Sequence, residues 1–96
     1  MTFNEFKQSL SNATPPHFDN VLLKALWHDG KGNWEASHNV AQEVETPDGS
    51  WIHAYLHRKE GDVGNASYWY HRAKRKMPSI SLDEEWEQIV KELLQA

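Results

Sequence analysis

The chain has 96 residues and no cysteine, a length typical of one domain (1–96) and a composition that excludes disulfides, thiol nucleophiles and cysteine-based zinc sites. The formal charge of −4 is carried by residues 81–96, so residues 1–80 are neutral overall and lack the basic surface of a nucleic-acid-binding protein. No segment is long and apolar enough to cross a membrane, and MTFNEFKQSL lacks the pattern of a signal peptide, so we expect a soluble, cytoplasmic protein without a membrane partner.

The N-terminal third of the chain predicts two helices. Thr2 can cap a short helix over residues 2–11, in which apolar side chains recur at helical spacing before the segment NATPP ends it. Pro16 can open a second helix that runs to about Gly30. Its apolar stripe is followed by the glycine-rich segment DGKGN, which is typical of a helix end.

The middle of the chain predicts three more helices, over about 34–45, 50–60 and 63–76. The segment ETPDGS separates the first two of these helices and has the composition of a turn. Gly61 separates the next two, and Pro78 ends the last.

A final helix is predicted over about 81–95. Ser81 and Glu84 have the spacing of a capping box, in which each side chain bonds to the other residue's backbone N–H. An apolar stripe follows, formed by Leu82, Trp86, Ile89, Val90, Leu93 and Leu94. Because no strand pattern occurs, we predict an all-α protein of five to six helices.

Two segments of the chain repeat with a shift of 29 residues. The repeated segments are LKALWHDGKGNWEASHNVAQEV and IHAYLHRKEGDVGNASYWYHRA. The shift aligns Ala25 with Ala54, His28 with His57, Gly32 with Gly61, Asn33 with Asp62 and Ser37 with Ala66. Each copy reads as a helix, a glycine stop, a capping residue and a second helix, so we predict two antiparallel helical hairpins at about 17–45 and 49–77.

The second copy resembles a tetratricopeptide repeat. The residues that match its order and spacing are Ala54, Gly61, Asp62, Ala66, Tyr70, Ala73 and Pro78. The resemblance implies stacked hairpins whose first helices line a concave binding surface, with the C-terminal helix as a cap. The period of 29 is shorter than the repeat's usual length of about 34. The run HAYLHRKEGDVGNASYWYHRA also resembles a family of small, largely bacterial proteins without an assigned activity.

A binding surface is the first functional hypothesis. In a tetratricopeptide-like array, Trp51, Tyr55 and Arg58 would face the concave side, with His53 and His57 beside them. Aromatic rings and guanidinium groups are typical of recognition surfaces, so this face would suit a peptide, a protein or a small acidic ligand. Two alternatives stay open: Trp51 and Tyr55 are also suited to the core, and the apolar end of a short array could be covered by a second copy in a homodimer.

A metal site or catalytic pocket is the alternative hypothesis. His53 and His57 are four residues apart and share a helix face, and Glu60, His38 and His28 could complete a coordination shell. The glutamate of a zincin motif is absent, since Ala54 follows His53. Histidines packed in the hairpin would explain the same spacing. No nucleophile elbow or phosphate-binding loop occurs, so the sequence predicts no catalytic residue and no cofactor.

Overall fold

The computed structural model describes residues 1–95, which form six α-helices. They are α1 (Phe3–Ser9), α2 (Val21–Gly30), α3 (Trp34–Gln42), α4 (Pro47–Lys59), α5 (Val63–Arg72) and α6 (Leu82–Gln95). No strand occurs within these residues, so the prediction of an all-α fold with five to six helices is confirmed.

Side-chain caps fix the first and the last helix as the sequence predicts. Thr2 Oγ1 accepts a hydrogen bond from the N–H of Glu5 at 3.1 Å, and the Glu5 carboxylate accepts one from the N–H of Thr2 at 2.8 Å. Ser81 and Glu84 form the same reciprocal pair at 3.1 Å in both directions. Each pair satisfies two backbone donors that a helix start leaves free, so local sequence determines both ends.

The two glycine stops adopt the backbone conformation that the repeat implies. Gly32 has φ of 82° and Gly61 has φ of 85°, in the left-handed region that side chains with a Cβ atom disfavour. The following residues then cap α3 and α5: Asn33 accepts from the N–H of Ala36, and Asp62 from that of Asn65. The chain therefore reverses direction twice through the same arrangement, a left-handed glycine followed by a capping residue.

We expect Gly61→Ala to lower the free energy of unfolding by about 1 to 2 kcal/mol, because alanine must adopt the left-handed conformation. Gly64→Ala is the matched control. Gly64 lies inside α5 and a Cβ there meets no atom within 4 Å, so alanine should stabilise the helix by about 0.5 to 1 kcal/mol. Urea unfolding of both variants would measure the difference, and equal effects would contradict the argument.

Two helix starts differ from the sequence prediction. Helix α2 begins at Val21 and not at Pro16, because Asn20 provides the cap and accepts from the N–H of Leu22 at 3.0 Å. The segment ETPDGS leads into α4 and is not a separate turn, since residues 47–50 form the first turn of that helix. Thr46 caps this helix, and Pro47 occupies its first position, where a missing N–H costs no helical hydrogen bond.

Two helix ends also come earlier than predicted. Helix α3 ends at Gln42 and not at residue 45. Helix α5 ends at Arg72 and not at residue 76, since Lys74 has φ of 60° and no helix continues through a left-handed residue.

The helices pack in a chain of neighbours. Helix α2 packs against α3, α3 against α4 and α4 against α5, while α6 lies across α1, α2 and α4. The indole N–H of Trp86 donates to the carbonyl of Leu26 at 3.1 Å and joins α6 to α2. Helix α4 is thus covered on several sides, and residues 50–56 are all buried. None of the helices in residues 1–95 has the length and apolar character needed to cross a membrane.

Candidate functional site

The aromatic face predicted for binding lies beneath α6. Trp51 and Tyr55 are each 2% exposed. The Arg58 guanidinium donates to Glu85 of α6 at 2.8 Å and to the carbonyl of Ile80. These contacts correct the prediction of an open surface at Trp51, Tyr55 and Arg58: the amphipathic α6 buries its apolar stripe on this side of α4, so the core interpretation describes both rings.

Glu85 is the centre of a buried polar network that the sequence analysis misses. Its carboxylate is fully buried and accepts hydrogen bonds from the Tyr70 hydroxyl at 2.6 and 2.8 Å, the Trp51 indole at 3.2 Å and Arg58 at 2.8 Å. Burial, together with the hydrogen bond to Glu85, raises the pKa of Tyr70. All of these donors are used within the protein, so the network holds α6 in place and offers no group to a ligand.

Asp29 of α2 forms a second buried network with α4. It is 4% exposed and accepts from the Tyr55 hydroxyl at 2.7 Å and from the Lys59 ammonium at 2.9 Å. Burial and the Asp29 charge raise the pKa of Tyr55. Its role is also structural, because both donors are satisfied internally.

Three histidines form a cluster of potential metal ligands. It is the one such cluster within residues 1–95 that is made of imidazole rings alone. One ligand nitrogen from each of His38, His53 and His57 lies within 4.8 Å of the others. His38 Nε2 is 2.9 Å from His53 Nε2. His53 is 7% exposed and the other two are half-buried, so the cluster lies at the edge of the protein interior.

Helix packing brings these rings together. His53 and His57 leave the same face of α4 one turn apart, and their rings stack with centroids 4.9 Å apart. His38 comes from α3, which packs on α4 and directs its ring edge-on to His53 at 4.5 Å. The sequence identifies the α4 pair from its spacing, but only the packing of α3 selects His38.

Two tryptophans enclose the cluster. Trp34 stacks on His38 with centroids 4.9 Å apart, and its indole N–H donates to the carbonyl of Leu56 at 2.8 Å. Trp69 of α5 stacks on His53 at 3.9 Å. Flat contacts on both sides restrict ring rotation, so the imidazoles are preorganised. Their role as walls of this cluster is not visible in the sequence.

Glu60 and His28 do not join the three rings. The Glu60 carboxylate bonds to Nδ1 of His57 at 2.7 Å, which leaves Nε2 of that ring for a ligand. Carboxylate partners of this kind orient metal-binding histidines in many proteins. Glu60 also groups with His57 and the exposed Asp62. His28 packs beside Trp27 at 5.4 Å on α2 and does not belong to the group of converging nitrogens, in contrast to its predicted place in the pocket.

Burial disfavours the charged form of His38 and of His53. Desolvation, followed by the neighbouring His38 and His57, lowers the pKa of His53 to about 4. Desolvation and His57 also lower the pKa of His38, against a weaker opposite effect of Glu60. Neutral imidazole has a free lone pair, and it is the form that ligates a metal.

One of the three nitrogen–nitrogen distances is close to the distance between two zinc ligands. Two nitrogens about 2.0 to 2.1 Å from a tetrahedral zinc ion are about 3.3 Å apart. The 2.9 Å between His38 and His53 is shorter by a few tenths of an ångström, so a slight outward movement of the rings would admit the ion. Imidazole ligands favour zinc, copper and nickel over magnesium or calcium.

Comparison of the chain with protein-family models, with curated proteins and with solved structures finds no match. The geometry of the histidine cluster is therefore the basis on which a function can be assigned.

Proposed function

We propose that the protein binds one divalent transition-metal ion, of which zinc, copper and nickel are the candidates, through His38, His53 and His57. The observation that carries the proposal is the convergence of three nitrogens within 4.8 Å from two different helices. Three supporting features are the tryptophan walls, the carboxylate bonded to His57 and the lowered pKa values of His38 and His53.

The bound ion would connect the two halves of the helical array. His38 belongs to the α2–α3 pair, whereas His53 and His57 belong to the α4–α5 pair. An ion that binds only the folded protein stabilises it by RT ln(1 + [L]/Kd), which is about 4 kcal/mol at a thousandfold excess over Kd. We therefore propose a metal-stabilised joint between the pairs.

A cobalt or zinc titration of protein purified without an affinity tag tests this proposal. We expect one ion per chain and, for cobalt, the visible absorption of a low-coordinate site. Replacing a residue that hydrogen-bonds to a metal ligand commonly lowers metal affinity about 10- to 100-fold. Loss of a ligand itself, in His38→Ala, His53→Ala or His57→Ala, should therefore lower the affinity at least about 100-fold.

His28→Ala and His71→Ala are the matched controls, since both residues lie outside the cluster. They should bind the ion as the wild type does. Substoichiometric binding to the wild type, or an equal loss in the controls, would exclude the three-histidine site.

We further propose that α2–α5 form two tetratricopeptide-like hairpins capped by α6, and that the protein acts in the cytoplasm. The repeat with its two left-handed glycines supports the first proposal, and the lack of cysteine supports the second. A peptide or acidic ligand at Trp51 and Tyr55 would have to displace α6, so we do not propose that site. Cell fractionation would test the location, and recovery in the membrane pellet would contradict it.

A further inference from the structure

A small cavity adjoins the histidine cluster. It has a volume of about 170 Å³ and lies between the end of α3, the start of α4 and α5. Its lining includes Ser50, His53, Trp69, Arg72 and Glu45. This volume is below the roughly 300 to 1,000 Å³ of drug-sized sites, so it has room for one organic molecule of a few heavy atoms.

Two buried polar side chains line this cavity with unused hydrogen-bonding groups. Ser50 is 8% exposed and His53 is 7% exposed. His53 uses Nε2 towards His38, whereas its Nδ1 and the Ser50 hydroxyl have no hydrogen bond within residues 1–95 and keep some access to solvent, since the one fully buried side-chain atom there without a partner is Ser37 Oγ. Side chains on a helix lean towards its N-terminus, so the His53 ring lies over the turn that contains Ser50. Both groups are therefore available to a molecule in the cavity.

Metal binding would fix which of these groups donates. When Nε2 of His53 ligates an ion, the neutral ring carries its proton on Nδ1 and becomes a hydrogen-bond donor there. Metal-bound histidines usually pass this N–H to a carboxylate, a carbonyl or water. The cluster supplies Glu60 for His57 but no such protein partner for His53.

Arg72 supplies a positive charge at the same cavity. Its guanidinium lies over the Trp69 ring at 5.3 Å and donates to the Tyr68 hydroxyl at 3.1 Å. It forms no ion pair with a carboxylate in residues 1–95, in contrast to Arg58 and Arg75. A guanidinium held over an aromatic ring keeps planar donors for a carboxylate.

We infer that this cavity binds a small carboxylate, which Arg72 pairs with and which accepts hydrogen bonds from Ser50 and from Nδ1 of His53. The inference rests on the proposed metal site, because the ion sets the proton on Nδ1. The carboxylate and the ion therefore bind with positive coupling, each raising the affinity of the other by the same factor. Glu45 also lines the cavity and opposes an anion there.

Acetate and its neutral analogue acetamide test the coupling. The zinc Kd is measured with free zinc fixed by a chelator, so that complexes of zinc with acetate do not contribute. We expect acetate to lower the zinc Kd about fivefold or more, within the usual range of coupling, and acetamide to leave it unchanged. Arg72→Gln and Ser50→Ala should abolish the acetate effect, Glu45→Gln should enlarge it, and the exposed Lys76→Gln should not alter it.

Different results would contradict the carboxylate site and the metal site. Zinc binding that is indifferent to acetate would overturn the carboxylate site and leave the metal site in place. An acetate effect that persists in both Arg72→Gln and Ser50→Ala would also overturn it, since the acetate would then ligate the zinc directly. Absence of binding of zinc, copper and nickel alike would overturn both proposals.

Discussion

Glu85→Ala is expected to lower the free energy of unfolding by about 3 to 5 kcal/mol, because it removes one partner of a buried ion pair. The Glu85 side chain is 1% exposed, and that of Arg58 is 18% exposed. Alanine would leave the guanidinium, the Tyr70 hydroxyl and the Trp51 indole without their acceptor. Urea unfolding followed by far-ultraviolet circular dichroism measures the loss.

Glu87→Ala provides the control on the same helix. Glu87 pairs with Lys91 at 2.6 Å on the exposed face of α6, and such pairs contribute at most about 1 kcal/mol. Glu85→Gln keeps the size of the side chain but removes its charge, so an intermediate loss is expected. A loss below about 1 kcal/mol in Glu85→Ala would mean that the network does not hold α6.

The metal-free protein is expected to lose about 2 kcal/mol of stability between pH 7.5 and pH 5 through His53. An unfolded histidine titrates near pH 6.5, whereas the pKa of His53 in the folded protein is lowered to about 4. Between these values only the unfolded chain binds the proton, so acid favours unfolding. The contribution is complete above pH 6.5 and is lost as the pH falls towards 4.

Chelator-treated His53→Gln should show a flatter pH dependence of stability, because glutamine does not titrate in this range. His71→Gln replaces an exposed histidine and should keep the wild-type slope. Denaturant unfolding at several pH values compares the slopes. Equal slopes in wild type and His53→Gln would show that His53 is protonated alike in the folded and unfolded states.

The sequence predicts those features of the fold that depend on neighbours along the chain. The pair Ser81 and Glu84 favours one local structure, a capping box, and the pair Gly61 and Asp62 favours another, a helix end followed by a helix cap. The structure confirms both predictions. The segment ETPDGS is compatible with two local structures, since threonine and proline favour both turns and helix starts. Local pattern alone does not separate these alternatives.

The candidate site depends on contacts between helices, which local pattern does not contain. The spacing of His53 and His57 indicates a shared face, but His38 and His28 are equally plausible additions until α3 is seen to pack on α4. Trp51 and Tyr55 suit either a surface or a core, and the position of α6 decides. One signal was available for Glu85, because it interrupts the apolar stripe between Leu82 and Ile89.

The two buried carboxylates, Asp29 and Glu85, also restrict the position and rotation of α4 relative to its neighbours. Tyr55 and Lys59 donate to Asp29 of α2, and Arg58 donates to Glu85 of α6. Hydrophobic contact is non-directional and would tolerate sliding or rotation of a helix. A shift of α4 by one residue, about 100° of rotation, would leave both carboxylates buried without donors. We therefore expect Asp29 and Glu85 together to specify a single helical register for α4.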